Sequence, residues 1–115
     1  MMLSRFAASL VIGFTLAITT TAPSKAEDAV IYETTLKGNA FTVTEIKVPA
    51  GKPFMIKMIN ANSAPAELEA KELKIEKTAV GNSTIVVRVK AMAPGKYLFV
   101  DEYQEDVTKG YVIVE

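Results

Sequence analysis

In the stretch "TIVVRVK", Ile85, Val87 and Val89 occupy every second position, with Val86, Arg88 and Lys90 between them. A two-residue period places one set on each face of an extended strand, whereas a helix would scatter them around its axis. The same period recurs in "VIYETTL", "FTVTEIKV", "FMIKMIN", "YLFVD" and "YVIVE". Between these runs lie "KGN", "PAGKP" and "APGK", where proline presets φ and glycine admits left-handed backbone. Short strands punctuated this regularly predict an all-β domain, with a Greek-key sandwich as the default architecture. The inward positions predicted are Phe41, Val43, Ile46 and Val48, then Phe54, Ile56 and Met58, then Ile85, Val87 and Val89.

One segment is ambiguous. "PAELEAKELKIEK" is rich in Ala, Leu, Glu and Lys, so intrinsic propensity predicts a helix starting near Pro65. Its apolar residues Leu68, Leu73 and Ile75 make only a patchy helical stripe, while "AELE" and "LKIEKTAV" alternate. The pattern predicts two extended pieces separated by a turn or short helical turn around Ala70 to Glu72.

Residues 1–26, "MMLSRFAASLVIGFTLAITTTAPSKA", have an early cation at Arg5, an apolar run from Phe6 to Ile18, and small residues Ser24 and Ala26. They read as a secretory signal peptide cleaved after Ala26. The competing reading is an uncleaved anchor, although a spanning helix needs about 20 apolar residues. Residues 27–115 then form one small domain exported to the periplasm and not membrane-spanning after cleavage. This part has 11 basic against 13 acidic residues, a formal charge of −2, which argues against a nucleic-acid partner. The chain contains no Cys and no His. That excludes a thiolate nucleophile, an imidazole base and a nitrogen or sulfur zinc site, and catalysis by this chain alone is not expected.

The series "FTVTEIKVPAGKPFMIKMIN", "PAELE", "APGKYLFVD" and "KGYVIVE" resembles the EfeO-type cupredoxin-like domains over nearly all of residues 30 to 115. These are periplasmic proteins or domains associated with bacterial iron uptake, so the resemblance implies a cupredoxin-like sandwich. Cupredoxins usually hold copper with two His, one Cys and often a Met. Here the Cys position falls at Asp101, the following His position at Gln104, the Met position near Thr108 and the early His position at Ala66. No type 1 copper centre is expected, because such a centre needs a thiolate. The EfeO-type relatives carry acidic residues around this pole, including a glutamate matching Glu67 and an acidic or thiol residue matching Asp101. Many keep a His where this chain has Gln104.

Strand alternation gives the acidic residues a separate meaning. Tyr97, Phe99 and Asp101 share one face of their strand, so an inward Phe99 carries Asp101 inward at the rim. A carboxylate there is neutralised, paired or metal-bound, because burying it alone is costly. Glu67 and Glu69 share a face of their own strand, and the fold expected brings Glu67 beside Asp101. The candidate metal ligands are therefore Glu67 and Asp101, helped by Glu69, Glu102 and Asp106. Oxygen donors suit iron, manganese, calcium or magnesium; iron is preferred through the resemblance, with copper the other metal considered. The bland alternative is that these residues simply solvate a loop, as charged residues usually do. Lys71, Lys74 and Lys77 are equally able to pair with Glu67, Glu69 and Glu72.

Two functions follow as expectations. The first is a metal-binding accessory to iron uptake, serving a periplasmic iron-binding or ferroxidase partner or an inner-membrane iron permease. The second is a metal-free β-sandwich module that docks its acidic pole onto such a partner. A methionine copper cluster is disfavoured, since Met55 and Met58 face opposite sides of one strand.

Overall fold

The alternation becomes strand structure in the computed structural model, which describes residues 29–115 and the isolated positions 13, 15 and 17. The signal-peptide reading of residues 1–26 and its cleavage site fall outside what is described. Among the described residues, no helix is long and apolar enough to cross a membrane. The strands are β1 (Val30–Lys37), β2 (Ala40–Phe41), β3 (Glu45–Val48), β4 (Phe54–Asn60), β5 (Ala66–Ala70), β6 (Ile75–Ala79), β7 (Thr84–Val89), β8 (Gly95–Asp101) and β9 (Lys109–Val114). Single 3-10 turns at Lys71–Leu73 and Glu102–Gln104 interrupt them. One sheet runs β2-β1-β4-β7 and the other β3-β9-β8-β5-β6. The β1/β4 and β3/β9 pairs are parallel and the remainder antiparallel.

The two inner faces make the core. Leu36, Ile56 and Met58 from the first sheet and Leu68, Phe99 and Val112 from the second are fully enclosed. Phe41 and Phe99 meet edge to face at 5.0 Å between centroids, an arrangement aromatic quadrupoles favour. Gly38 and Gly51 carry φ values of 62° and 74°, the left-handed backbone that "KGN" and "PAGKP" require. Met58 lies in the core and Met55 is only half-buried, on the opposite face of β4.

The ambiguous segment resolves in favour of pattern over propensity. Ala66, Leu68 and Ala70 point into the core at 1%, 0% and 1% exposure, and β5 is flanked by β6 and β8. The 3-10 turn at Lys71–Leu73 ends on Lys74, whose φ is 56°. Helix-forming side chains therefore lie in strands because burial of three alternate residues outweighs tenths of a kcal/mol of propensity each. Val43 departs from expectation and is 38% exposed. The buried Thr34 hydroxyl instead donates to the Val43 carbonyl at 3.0 Å and accepts from its amide at 3.2 Å, so the backbone here is tied to β1 with the side chain turned outward.

Gly110 faces the core on β9 opposite Phe99. A Cβ built there would lie 2.2 Å from the Phe99 ring, so the aromatic packs directly on bare backbone. Gly110→Ala is expected to lower unfolding free energy by about 1–3 kcal/mol through overpacking. Urea denaturation measures this, and pairing the change with Phe99→Leu is expected to recover part of the loss.

Candidate metal centre

The register of the second sheet decides which carboxylates meet. Leu68 pairs with Asp101 and Glu69 with Val100 across β5 and β8. Glu102, one residue beyond, therefore arrives beside Glu67. On the other side of β5, Glu69 pairs with Glu76 and Glu67 with Thr78. Glu67, Glu69, Glu76 and Glu102 thus share the outer face of the sheet near one pole. One carboxylate oxygen from each of Glu67, Glu76 and Glu102 lies within 4.8 Å of the others.

Like charges this close do not all ionise freely. Hydrogen bonding to Glu67, then to Glu69, keeps a proton on Glu102 and pushes its carboxyl up to about 7. Hydrogen bonding to Glu67 likewise raises Glu76. Glu67 is the acceptor in these hydrogen bonds and is lowered, first by Glu102, then by Glu76, with a smaller contribution from Tyr103. The group is a set of oxygen donors close enough to perturb one another's protonation. A cation could displace those protons.

Asp101 does not join this set. It is 1% exposed; its Oδ1 accepts from the amides of Glu67 at 3.0 Å and Tyr103 at 3.2 Å, and its Oδ2 from Gln104 Nε2 at 3.0 Å. Asp101 therefore meets Glu67, as the sequence reading required, but it meets the backbone amide and not the carboxylate. Its side chain caps the Glu102–Gln104 turn and fastens that turn to β5. Asp106 and Glu105 lie farther along, lining a shallow cleft with Lys109. Among the expected ion pairs, Lys71 reaches Glu69 at 3.6 Å with its own side chain 88% exposed; such a contact contributes about 0–1 kcal/mol.

Glu76 escaped the sequence reading. Its signal was present in "ELEAKELKIEK": a turn centred on Lys71–Lys74 folds the segment so that Glu76 returns opposite Glu69. Locating that turn to the residue was needed to see it.

The positions where copper ligands would fall are occupied by groups engaged elsewhere in the fold. Gln104 donates to Asp101, Ala66 is buried in the core, and the Thr108 hydroxyl donates to the Asn39 carbonyl at 2.6 Å. None supplies sulfur or imidazole, so these residues do not fit a type 1 copper ion. Met92 lies before β8, which spans about 20 Å from Gly95 to Asp101, so it sits at the opposite end of that strand from Asp101.

A family model described as a cupredoxin-like domain matches residues 8–114. An uncharacterised protein of Rickettsia prowazekii (strain Madrid E) is 26% identical over 93 residues, spanning 80% of this chain and 74% of that protein. Auracyanin A, a "blue" copper protein from the photosynthetic bacterium Chloroflexus aurantiacus, superposes with a TM-score of 0.66 at 21% identity, covering 76% of this chain and all of the other. The metal-binding domain of the Cu(I)-exporting P-type ATPase CopA of Streptococcus pneumoniae D39, solved with Cu(I), gives 0.66 at 17% identity, covering 74% and 84%. At such identities these structures share the fold.

Asp101→Ala leaves the amides of Glu67 and Tyr103 without their acceptor, and is expected to cost about 2–3 kcal/mol in chemical denaturation. A raised carboxyl favours folding while protonated, and that contribution is lost as pH climbs through its folded value. In chelator-containing buffer, Glu102 therefore makes thermal stability decline between about pH 5 and pH 8. Glu102→Gln is expected to flatten that decline, read as melting temperature against pH.

Proposed function

The chain belongs to the cupredoxin-like domain family, and from that premise we propose that it is an exported, non-catalytic accessory protein that holds a hard cation, iron foremost, on Glu67, Glu76 and Glu102. The observation that carries this reading is the convergence of three carboxylate oxygens within 4.8 Å, contributed by β5, β6 and the turn after β8. Glu69, whose side chain is only 11% exposed, stands next to the trio as a further oxygen donor. The choice of metal follows from the donors: carboxylates suit iron, manganese, calcium and magnesium, while Cu(I) prefers thiolate and thioether. Iron is selected among them by the resemblance of "PAELE" and "APGKYLFVD" to EfeO-type domains of iron uptake. Asp101 then serves as the strut that holds Glu67 and the turn bearing Glu102 in register.

In this role the protein keeps iron in the periplasm and presents it to an iron-binding or ferroxidase partner, or to an inner-membrane permease. The site is open to solvent, with Glu76 and Glu102 both exposed, so a cation there remains exchangeable. The surroundings suit hand-over better than permanent storage.

Calorimetry of the purified protein with Fe(II), Mn(II) and Cu(II), run in two buffers of different ionisation enthalpy, tests this. Binding of Fe(II) or Mn(II) with net proton release is expected, since metal must displace the protons on Glu102 and Glu76. The Glu67→Gln, Glu102→Gln double variant is expected to abolish it, and Asp101→Asn to weaken it by about 10-fold through the supporting contact. Absence of any binding at micromolar concentration overturns the proposal and favours the metal-free docking module.

A further inference from the structure

The backbone of β1 is paired along its whole length on one side and only at its end on the other. Toward β4 the parallel ladder runs from Val30 to Leu36. Toward β2 the ladder holds only Leu36 and Lys37, and Thr35 is the next residue met: its carbonyl accepts from the Thr42 amide at 2.8 Å and its amide donates to the Thr42 hydroxyl at 3.1 Å. Successive residues of a strand turn their N–H and C=O groups to opposite sides. Ile31 and Glu33 therefore aim theirs the same way as Thr35, and no strand among the described residues pairs with them there.

An open edge is a template for another strand, and proteins usually blunt it with charge, proline or shortness. The other edges here carry such devices: β2 has two residues, β3 has four with Lys47 among them, β6 bears Lys77 and β7 bears Arg88. The open part of β1 has none. It reads Val30, Ile31, Tyr32, with Val30 58% and Ile31 52% exposed, and the charge of Glu33 is met by Lys57 on the adjacent strand at 3.6 Å. Val30 and Tyr32 turn to the core side, where Tyr32 meets Phe54 edge to face at 6.1 Å. Ile31 turns outward.

We propose that a second copy of this chain covers the edge, β1 pairing antiparallel with the same strand of its partner across a two-fold axis at Ile31. The register follows from which backbone groups are open. Centred on Ile31, the pairing joins Ile31 to Ile31 and Ala29 to Glu33 with about six hydrogen bonds, and it stops short of Thr35, which Thr42 already holds. Moving the centre to Tyr32 would set Ala29 against Thr35 and meet that obstacle. On the core side the same register lays Val30 of each copy beside Tyr32 of the other, a β-branched and aromatic pair that antiparallel strands favour. The exposed apolar residues of one copy are thus covered by those of the other. The proposal rests on the export reading in one respect: cleavage after Ala26 leaves only Glu27 and Asp28 ahead of Ala29, too few to turn back along the edge. Five paired residues span about 17 Å, less than a standard interface of roughly 800 Å² per partner requires. The dimer is therefore weak. The carboxylate trio lies on the other sheet and stays open in both copies.

Analytical ultracentrifugation of the purified protein is expected to show monomer at about 10 μM moving to dimer by about 1 mM. Ile31→Lys, which sets two ammonium groups at the axis, is expected to keep the protein monomeric throughout while leaving its melting temperature at the low concentration unchanged. The chain has no cysteine, so Ile31→Cys gives one reporter thiol per copy. At a hydrogen-bonded antiparallel pair the Cα atoms lie about 5.5 Å apart, within the range a disulfide accepts. Oxidised with diamide, Ile31→Cys is expected to form a linked dimer about tenfold faster than Val86→Cys, a position on β7 that is 42% exposed. A protein that stays monomeric at the highest concentration, equal linkage of the two cysteine variants, or a dimer that persists in Ile31→Lys overturns the proposal. N-terminal sequencing of the same sample separates two causes of a monomer: a chain starting at Glu27 rejects the second copy outright, and one retaining residues 1–26 gives the edge to the chain's own segment and counts against the export reading.

Discussion

The buried carboxylate of Asp101 governs how one pole of this sandwich is organised. It sits 1% exposed at the end of β8, where an unsolvated charge would be prohibitive without partners. Three N–H donors, from Glu67, Tyr103 and Gln104, fill its two oxygens. Hydrogen bonds to an ionised acceptor are worth roughly 1.5–3 kcal/mol each, enough to hold a short turn that has few apolar contacts of its own. Through those bonds the residue joins β5, β8 and the Glu102–Gln104 turn into one unit.

That unit explains the different fates of the acidic residues. Once Glu67 and the turn are fastened, alternation carries the Glu67 and Glu102 side chains to the outer face, where β6 brings Glu76 to meet them. The opposite shifts of Glu67 against Glu76 and Glu102 follow from that proximity. Glu105 and Asp106 lie past the turn and border the cleft over Leu98 and Val100 instead. At the positions where a cupredoxin usually presents sulfur and imidazole to copper, Gln104 bonds Asp101, the Thr108 hydroxyl bonds Asn39 and Ala66 packs in the core, while the carboxylates of Glu67, Glu76 and Glu102 meet on the outer face.

Much of the fold was legible because burial follows a period of two. The strands, the turn glycines, the inward Phe99 and Asp101, and the break near Ala70 all come from local pattern. Val43 breaks the alternation because Thr34 ties its backbone to β1, and its side chain turns outward. The place of Glu76 depends on the register of the β5/β6 hairpin, which local pattern does not carry, and one residue of slip would send it to the opposite face. Alternation places Asp101 at an inward rim, but which atoms of Glu67 it touches is not a matter of pattern.

Residue inventory and spacing by themselves determined the two-faced strands, the all-β class and the exclusion of a thiolate copper centre, since these depend only on side-chain chemistry and a two-residue repeat. Tertiary structure decided which carboxylates converge and which one is consumed as a strut. The physical reason is that Glu67 and Asp101 are 34 residues apart: their meeting is set by strand pairing across a sheet, and a shift of a single position would exchange the buried carboxylate for an exposed one.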